Sequence, residues 1–236
     1  NHDEARRVRA LQGYGVLDTS SDAAFDRMTQ LACDLFETPV ALVSLVDETR
    51  QWFKSRQGLE FSSTAREYAF CSHAIELESD AVMVIEDATL DARFAANPLV
   101  VGEPGIRFYA GAVLTSSDGY NLGTLCVIDT KPRARPTDRE LNRLRALARI
   151  VRDELERTRL DRVRWEQARL LKLAEAMSGV AHWRYDVVTG DVYWSDLLYE
   201  LWGADRRTHV PSYRAGLESF HPDDRDRISG LLNTAI

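Results

Sequence analysis

The sequence predicts an α+β fold: an antiparallel sheet flanked by helices, then one long helix, then a smaller α+β segment. Three observations carry this reading. Residues 106–129 (IRFYAGAVLTSSDGYNLGTLCVID) set two apolar runs, rich in aromatic and β-branched residues, on either side of Ser117-Asp118-Gly119. Asp-Gly tolerates the positive φ of a tight turn, so the stretch reads as a β-hairpin. Strand-like runs elsewhere in the first half are separated by helix-period segments and joined in pairs by short turns, which favours an antiparallel sheet over a βαβ core. Finally, no Gly or Pro occurs from Thr137 to Met177, which allows a helix about 60 Å long.

Taken in order, Asp3–Leu11 forms a short charged helix and Tyr14–Asp18 a turn. Thr19-Ser20-Ser21-Asp22 opens a second helix, along which Phe25, Met28, Leu31, Ala32, Leu35 and Phe36 give one apolar face, and Pro39 stops it. Val40–Val46 is a continuous apolar run too short for a helix, hence a buried strand. A second strand, Gln51–Arg56, follows the Asp47-Glu48-Thr49 turn. Ser63-Thr64 is placed to cap a helix over Ala65–Glu76, with Glu67 as its capping-box partner. Ala81–Glu86 is a strand, Asp87–Gly105 a wrapping loop with helical turns, and the hairpin supplies the last two strands.

Lys131–Pro136 breaks the pattern, and Thr137 with Glu140 three residues on caps the long helix. Leu141, Leu144, Ala148, Val151 and Leu155 keep the spacing of a coiled-coil seam. The pattern falters at Thr158 and Arg162, then resumes in another register with Leu160, Val163, Leu170, Ala174 and Met177. Asp153/Arg157 and Arg162/Glu166 fit a solvated outer face. Beyond it, Val180–Val187 and Asp191–Trp194 are strands around Thr189-Gly190, Leu197–Trp202 is a short helix, and Phe220–Leu232 is a helix with Pro222 in first position.

Composition limits the function classes. The 236 residues suffice for one large or two modest domains, and the net charge of −7 argues against general nucleic-acid binding or an acidic membrane surface. No apolar run approaches the roughly 20 residues of a membrane span, and the charged start NHDEARRVRA lacks a signal-peptide core. Cys33, Cys71 and Cys126 are odd in number and widely spaced, which fits a reducing cytoplasm better than a disulfide framework and gives no zinc pair. The chain reads as a segment of a longer protein.

Three blocks in fixed order carry a family resemblance: Phe70-Cys71-Ser72-His73, Asp91-Ala92-Arg93-Phe94, and Phe108-Tyr109-Ala110-Gly111 with Gly123–Asp129. Over Glu4–Glu156 the chain resembles the GAF domains of bacterial signalling proteins. Residues 178–236, with Trp183-x-Tyr185-Asp186, Thr189-Gly190, Trp194-Ser195, Leu201-x-Gly203 and His221–Arg225, resemble the first part of a PAS domain. The resemblance implies a GAF domain over 1–136, a signalling helix over 137–177 and a partial PAS domain over 178–236. It also implies a GAF-like sheet forming the floor of a small-molecule pocket, a homodimer through the Thr137–Met177 helix, and an output module of the histidine kinase or diguanylate cyclase type. The chain itself holds no phosphoacceptor-histidine helix, ATP-binding motif or GGDEF segment, so it reads as sensory rather than enzymatic.

The ligand-binding candidates are Trp52, Lys54, Phe70, Cys71, His73, Arg93, Phe108, Tyr109 and Cys126. The aromatic residues serve either as pocket walls or as plain core. Lys54, Arg93 and Arg107 would meet an anionic ligand or form salt bridges. Phe108, Tyr109 and Cys126 are expected in the pocket floor. On a helix Cys71 and His73 lie about 200° apart and share no face, so they make a poor Cys–His nucleophile. Cys71 then packs inward with His73 hydrogen-bonded to a neighbour, or one of them lines the pocket. A bilin is disfavoured because Ser72 separates Cys71 from His73, where phytochrome-like domains place Cys and His side by side. Haem on His221 competes with simple helix capping, and the flavin-binding Asn-Cys-Arg-Phe motif is absent. Two further readings stay open: a free methionine sulfoxide reductase using Cys71 and Cys126, and a ligand-free dimerisation module whose pocket is filled by its own aromatic residues.

Overall fold

The computed structural model describes residues 2–218 and 220–235. They form two compact units, Asn1–Val163 and Arg164–Ile236. In the first, α1 (His2–Tyr14) and α2 (Ala23–Phe36) precede β1 (Val40–Val46) and β2 (Arg50–Gln57). Asp22 caps α2 by accepting a 2.9 Å bond from the Ala24 N–H, and Glu37 ends it in the left-handed region at φ 50°. Next come β3 (Ser63–Ala65), α3 (Phe70–Ala74), β4 (Val82–Ile85), α4 (Pro98–Val101), β5 (Phe108–Thr115), β6 (Asn121–Asp129) and α5 (Asp138–Ser178).

The six strands make one antiparallel sheet in the order β3-β2-β1-β6-β5-β4. Its two faces carry separate cores. On the helix face Val43, Leu45, Trp52, Phe108, Ala110, Leu125 and Val127 pack with Leu11, Tyr14, Phe25 and Ala32 of the first two helices and with Leu144, Ala148, Val151 and Leu155 of α5. On the other, here the loop face, Leu42, Phe53, Tyr109, Cys126 and Ile128 pack with Phe70, Cys71, Phe94, Val100 and Ile106.

Three expectations need correction. Ser63 and Thr64 do not cap a helix; they pair with Trp52 and Gln51 as β3, covering the open edge of β2. The expected Ala65–Glu76 helix shrinks to a single-turn 3₁₀ segment, Arg66–Tyr68, and α3. Along α2, Leu31 and Leu35 point outward at 43% and 39% exposure, while the sheet receives Phe25, Thr29, Ala32 and Phe36. The Leu144–Leu155 seam faces the chain's own sheet rather than a second helix, because a helix stripe of that width is what closing the core requires. The second-register residues Leu160, Val163, Leu170 and Met177 are exposed.

The capping box of α5 forms as read: the Thr137 N–H donates to Glu140 Oε2 at 2.7 Å, and the Glu140 N–H to Thr137 Oγ1 at 3.3 Å. Arg157 pairs with Glu154 and Asp161, and Asp153 pairs with Arg152 instead. Among the described residues no helix is long and apolar enough to cross a membrane.

In the second unit β7 (Trp183–Tyr185) pairs antiparallel with β8 (Val192–Trp194). These are shorter than the strands expected. Next come α6 (Asp196–Trp202), with Ser195 at its N-cap and Gly203 left-handed at its end, α7 (Tyr213–Glu218), which was not foreseen, and α8 (Pro222–Ala235). His221 is exposed, 3.6 Å from Asp223 at the start of α8.

Candidate functional site

The loop face holds a buried knot of thiols and hydroxyls. Tyr109 on β5, Thr124 and Cys126 on β6 all project to this face, and α3 lays Cys71 over them. Cys71 Sγ lies 3.0 Å from Thr124 Oγ1 and 3.3 Å from the Tyr109 hydroxyl, which is itself 3.3 Å from Thr124 Oγ1. The three groups close a triangle in which each can donate to the next. Gly111 makes room for it: a Cβ there would sit 2.1 Å from the Tyr109 oxygen. Cys126 stands opposite Gly111 across the β5–β6 pair. Ser44, the β1 partner of Thr124, adds a further buried hydroxyl beside Cys71.

Burial pushes the Cys126 thiol well up, and a Cys71 thiolate beside it pushes the same way. Burial also raises Cys71, but hydrogen bonds from Cys126, Ser44, Thr124 and Tyr109 outweigh it and bring that thiol down. Burial, followed by the two neighbouring sulfurs, pushes the Tyr109 phenol well up.

Against this knot lies a narrow cavity of about 20 Å³, whose walls include Gln51, Phe53, Thr64, Phe70, Ile106 and both sulfur-bearing residues. Its roof is aromatic: Phe70 stacks on Phe94 at 4.0 Å with 8° between the rings, and on Tyr109 at 5.3 Å. Gln51 Oε1 and Thr64 Oγ1 are buried in its wall without hydrogen-bond partners, on residues paired across β2 and β3.

Phe70, Cys71, Tyr109 and Cys126 are thus brought together. Trp52, Lys54 and Phe108 are not. Successive strand residues face opposite ways, so Phe108 cannot share a floor with Tyr109 and packs on the helix face with Trp52. Lys54 donates to Thr19 Oγ1 at 3.0 Å and the Ser20 carbonyl at 3.1 Å, and its ammonium stands 5.4 Å from the centre of the Phe25 ring. Burial lowers its pKa.

His73 and Arg93 sit at the rim. His73 sets its ring edge-on to Phe94 rather than forming the expected hydrogen bond, and Arg93 pairs with Asp91 at 2.7 Å while lying over Phe94. Arg107 donates to the Val100 carbonyl at 2.8 Å. Sequence reasoning missed Thr124, Ser44, Gln51 and Thr64. The signal was there for two of them: Thr124 precedes Cys126 by two residues and Gln51 precedes Phe53 by two, so each shares that residue's face.

Residues 20–155 match the GAF domain family. A cyclic di-GMP phosphodiesterase of Pseudomonas aeruginosa is 44% identical over 149 residues, 63% of this chain and 25% of that protein. The chain thus spans about a quarter of the length of that curated relative. Among solved structures, a GAF domain from an Acinetobacter phosphoenolpyruvate-protein phosphotransferase is 17% identical, with a TM-score of 0.48 over 66% of this chain and 95% of that one. A free methionine-R-sulfoxide reductase from Neisseria meningitidis is 18% identical, with a TM-score of 0.48 over 64% and 87%.

Proposed function

The chain belongs to the GAF domain family, and we propose that it is the sensory input region of a bacterial signalling protein. In this reading the loop-face cavity takes a small polar molecule, and α5 passes the consequence onward. One observation carries it: Gln51 Oε1 and Thr64 Oγ1 are buried and unpartnered in the wall of a cavity. A buried polar atom without a partner costs about 1–3 kcal/mol. A ligand that supplies hydrogen bonds there recovers that cost.

The cavity is too small for a metabolite as it stands, so binding must displace the Phe70–Phe94 roof. Binding is thereby tied to a change of conformation, as a sensor requires. The route to α5 is short. On β6, Cys126 lines the cavity and Thr124 joins the knot beside it, while the intervening Leu125 and the following Val127 pack in the core that holds Leu144 and Val151. In the same reading residues 178–236 begin a PAS domain, and the exposed Leu160, Leu170 and Met177 of α5 supply the contact of a homodimer in the cytoplasm. The relative's name favours an output concerned with cyclic di-GMP.

The test is thermal-shift screening of nucleotides and amino acids against the wild-type chain and Gln51→Leu, since a ligand bound only to the folded form raises its melting temperature. A ligand whose shift is lost in Gln51→Leu supports the pocket. Shifts that are the same in both proteins remove it, and no shift from any compound favours the ligand-free dimeriser.

A further inference from the structure

We propose that Cys71, from the α3 side of the loop-face cavity, and Cys126, from its β6 floor, form a dithiol that hydrogen peroxide oxidises to a disulfide. The inference stands apart from the small-molecule reading and rests on three features. Both sulfurs are buried and both residues line the same cavity. They come from separate elements, α3 and β6, so a bond between them ties the roof of the cavity to its floor. The Thr124 and Tyr109 hydroxyls close on Cys71 Sγ at 3.0 and 3.3 Å, which supplies donors for a thiolate.

The size of the cavity selects the oxidant. About 20 Å³ holds one water-sized molecule. Peroxide fits that description; a disulfide reagent such as oxidised glutathione does not. The third cysteine, Cys33 on α2, is more exposed than either, but partial burial and the neighbouring Asp34 charge raise its pKa. Exposure and environment therefore make opposite forecasts of which thiol reacts first.

The steps balance. The Cys71 sulfur attacks one peroxide oxygen and the O–O bond breaks. The departing hydroxide takes the proton released from Cys71, relayed through the Thr124 or Tyr109 hydroxyl, and leaves as water. The Cys126 sulfur then attacks the resulting sulfenic sulfur, the S–O bond breaks, and hydroxide carries away the Cys126 proton as a second water. Two thiols lose two electrons in all, and one peroxide becomes two waters.

The experiment treats the folded 236-residue chain with one equivalent of hydrogen peroxide, or with oxidised glutathione, then blocks free thiols and maps peptides by mass spectrometry. The expected product with peroxide is a Cys71–Cys126 cross-linked peptide, two hydrogens lighter and reversed by dithiothreitol, while Cys33 stays free. Oxidised glutathione should give none in the same time. Thr124→Val, which removes the closer of the two hydroxyls facing Cys71 Sγ, should slow the reaction about twofold or more near neutral pH. Should that variant fold poorly, the wild-type selectivity still decides. Oxidation of Cys33 ahead of the pair overturns the proposal. So does equal reaction with both oxidants, which would mean that the protein opens first, or over-oxidation of Cys71 without a bond to Cys126.

Discussion

Gly111→Ala is the sharpest test of the loop-face geometry, because general rules and this structure forecast opposite signs. In an ordinary strand, Ala in place of Gly stabilises by about 0.5–1 kcal/mol, since glycine loses more freedom on folding. Gly111 sits in β5 outside the positive-φ region, so nothing in its backbone forbids alanine. Yet its Cβ would lie 2.1 Å from the Tyr109 oxygen, 2.6 Å from Cζ and 2.8 Å from Cε1. Tyr109 is fully buried and cannot swing into solvent.

Overpacking of this kind costs about 1–3 kcal/mol. Moving the phenol also takes its hydroxyl from Cys71 and Thr124, a further loss of about 1–3 kcal/mol where a buried group is left unpaired. Net of the strand gain, Gly111→Ala should destabilise by about 1–5 kcal/mol. The assay is urea unfolding followed by circular dichroism, with Tyr109→Leu and the double variant completing a cycle. Because leucine does not reach the Gly111 Cβ, the double variant should be less unstable than the sum by about 1–2 kcal/mol. A neutral or stabilising Gly111→Ala, or strict additivity, would refute the placement of the ring across Gly111.

Three further predictions concern α1 and α5. Glu4 is held to about 2, from 4.5, chiefly by its hydrogen bonds with Arg7, which outweigh burial, and with Arg66. A depressed carboxyl contributes stability above its unfolded pKa and loses it as pH falls through the folded one, so the loss spans about pH 4.5 to about 2. Discounted for the partial exposure of the pair, it amounts to about 1 kcal/mol, and Glu4→Gln should flatten that part of the acid limb in urea midpoints measured across the window. Leu144→Ala should cost about 2–5 kcal/mol independently of protein concentration, because Leu144 is buried in the chain's own core. Leu170→Ala, 66% exposed, should stay within about 0.5 kcal/mol when the chain is dilute.

What was legible in the sequence was local. β1 occupies Val40–Val46 as read, because a seven-residue apolar run bounded by Pro39 and Asp47 has no other stable use. The hairpin and the Thr137–Glu140 capping box formed for equally local reasons: a Gly119 at φ 84°, and two side chains three residues apart. The misses involve partners far along the chain. Ser63-Thr64 carries capping chemistry, but the free edge of β2 claimed it for a strand. Leu144–Leu155 has the spacing of a coiled-coil seam and also of a helix packing on a sheet, and periodicity does not separate the two. At the site, Phe108 and Tyr109 were grouped by chemistry, though strand alternation sets them on opposite faces.

That last point bears on how the domain could signal. β1 and β6 lie close where the knot forms: a Cβ on Gly123 would meet the Ser44 carbonyl oxygen at 1.9 Å. The same strand pair carries Ser44 and Thr124 toward the knot and Leu45 and Leu125 toward the core that contains Leu144 and Val151. Side chains of alternating direction share one backbone, and a packed core transmits displacement rather than absorbing it. A change at the knot that shifts β6 against β1 must therefore be felt by the inner stripe of α5. Since that stripe is occupied by the sheet, it is not available for dimer contact, and any second copy must meet α5 on other positions, of which Ile150, Leu160 and Val163 are exposed. In the relay proposed above, the sheet would act on one side of the helix and a second copy on the other.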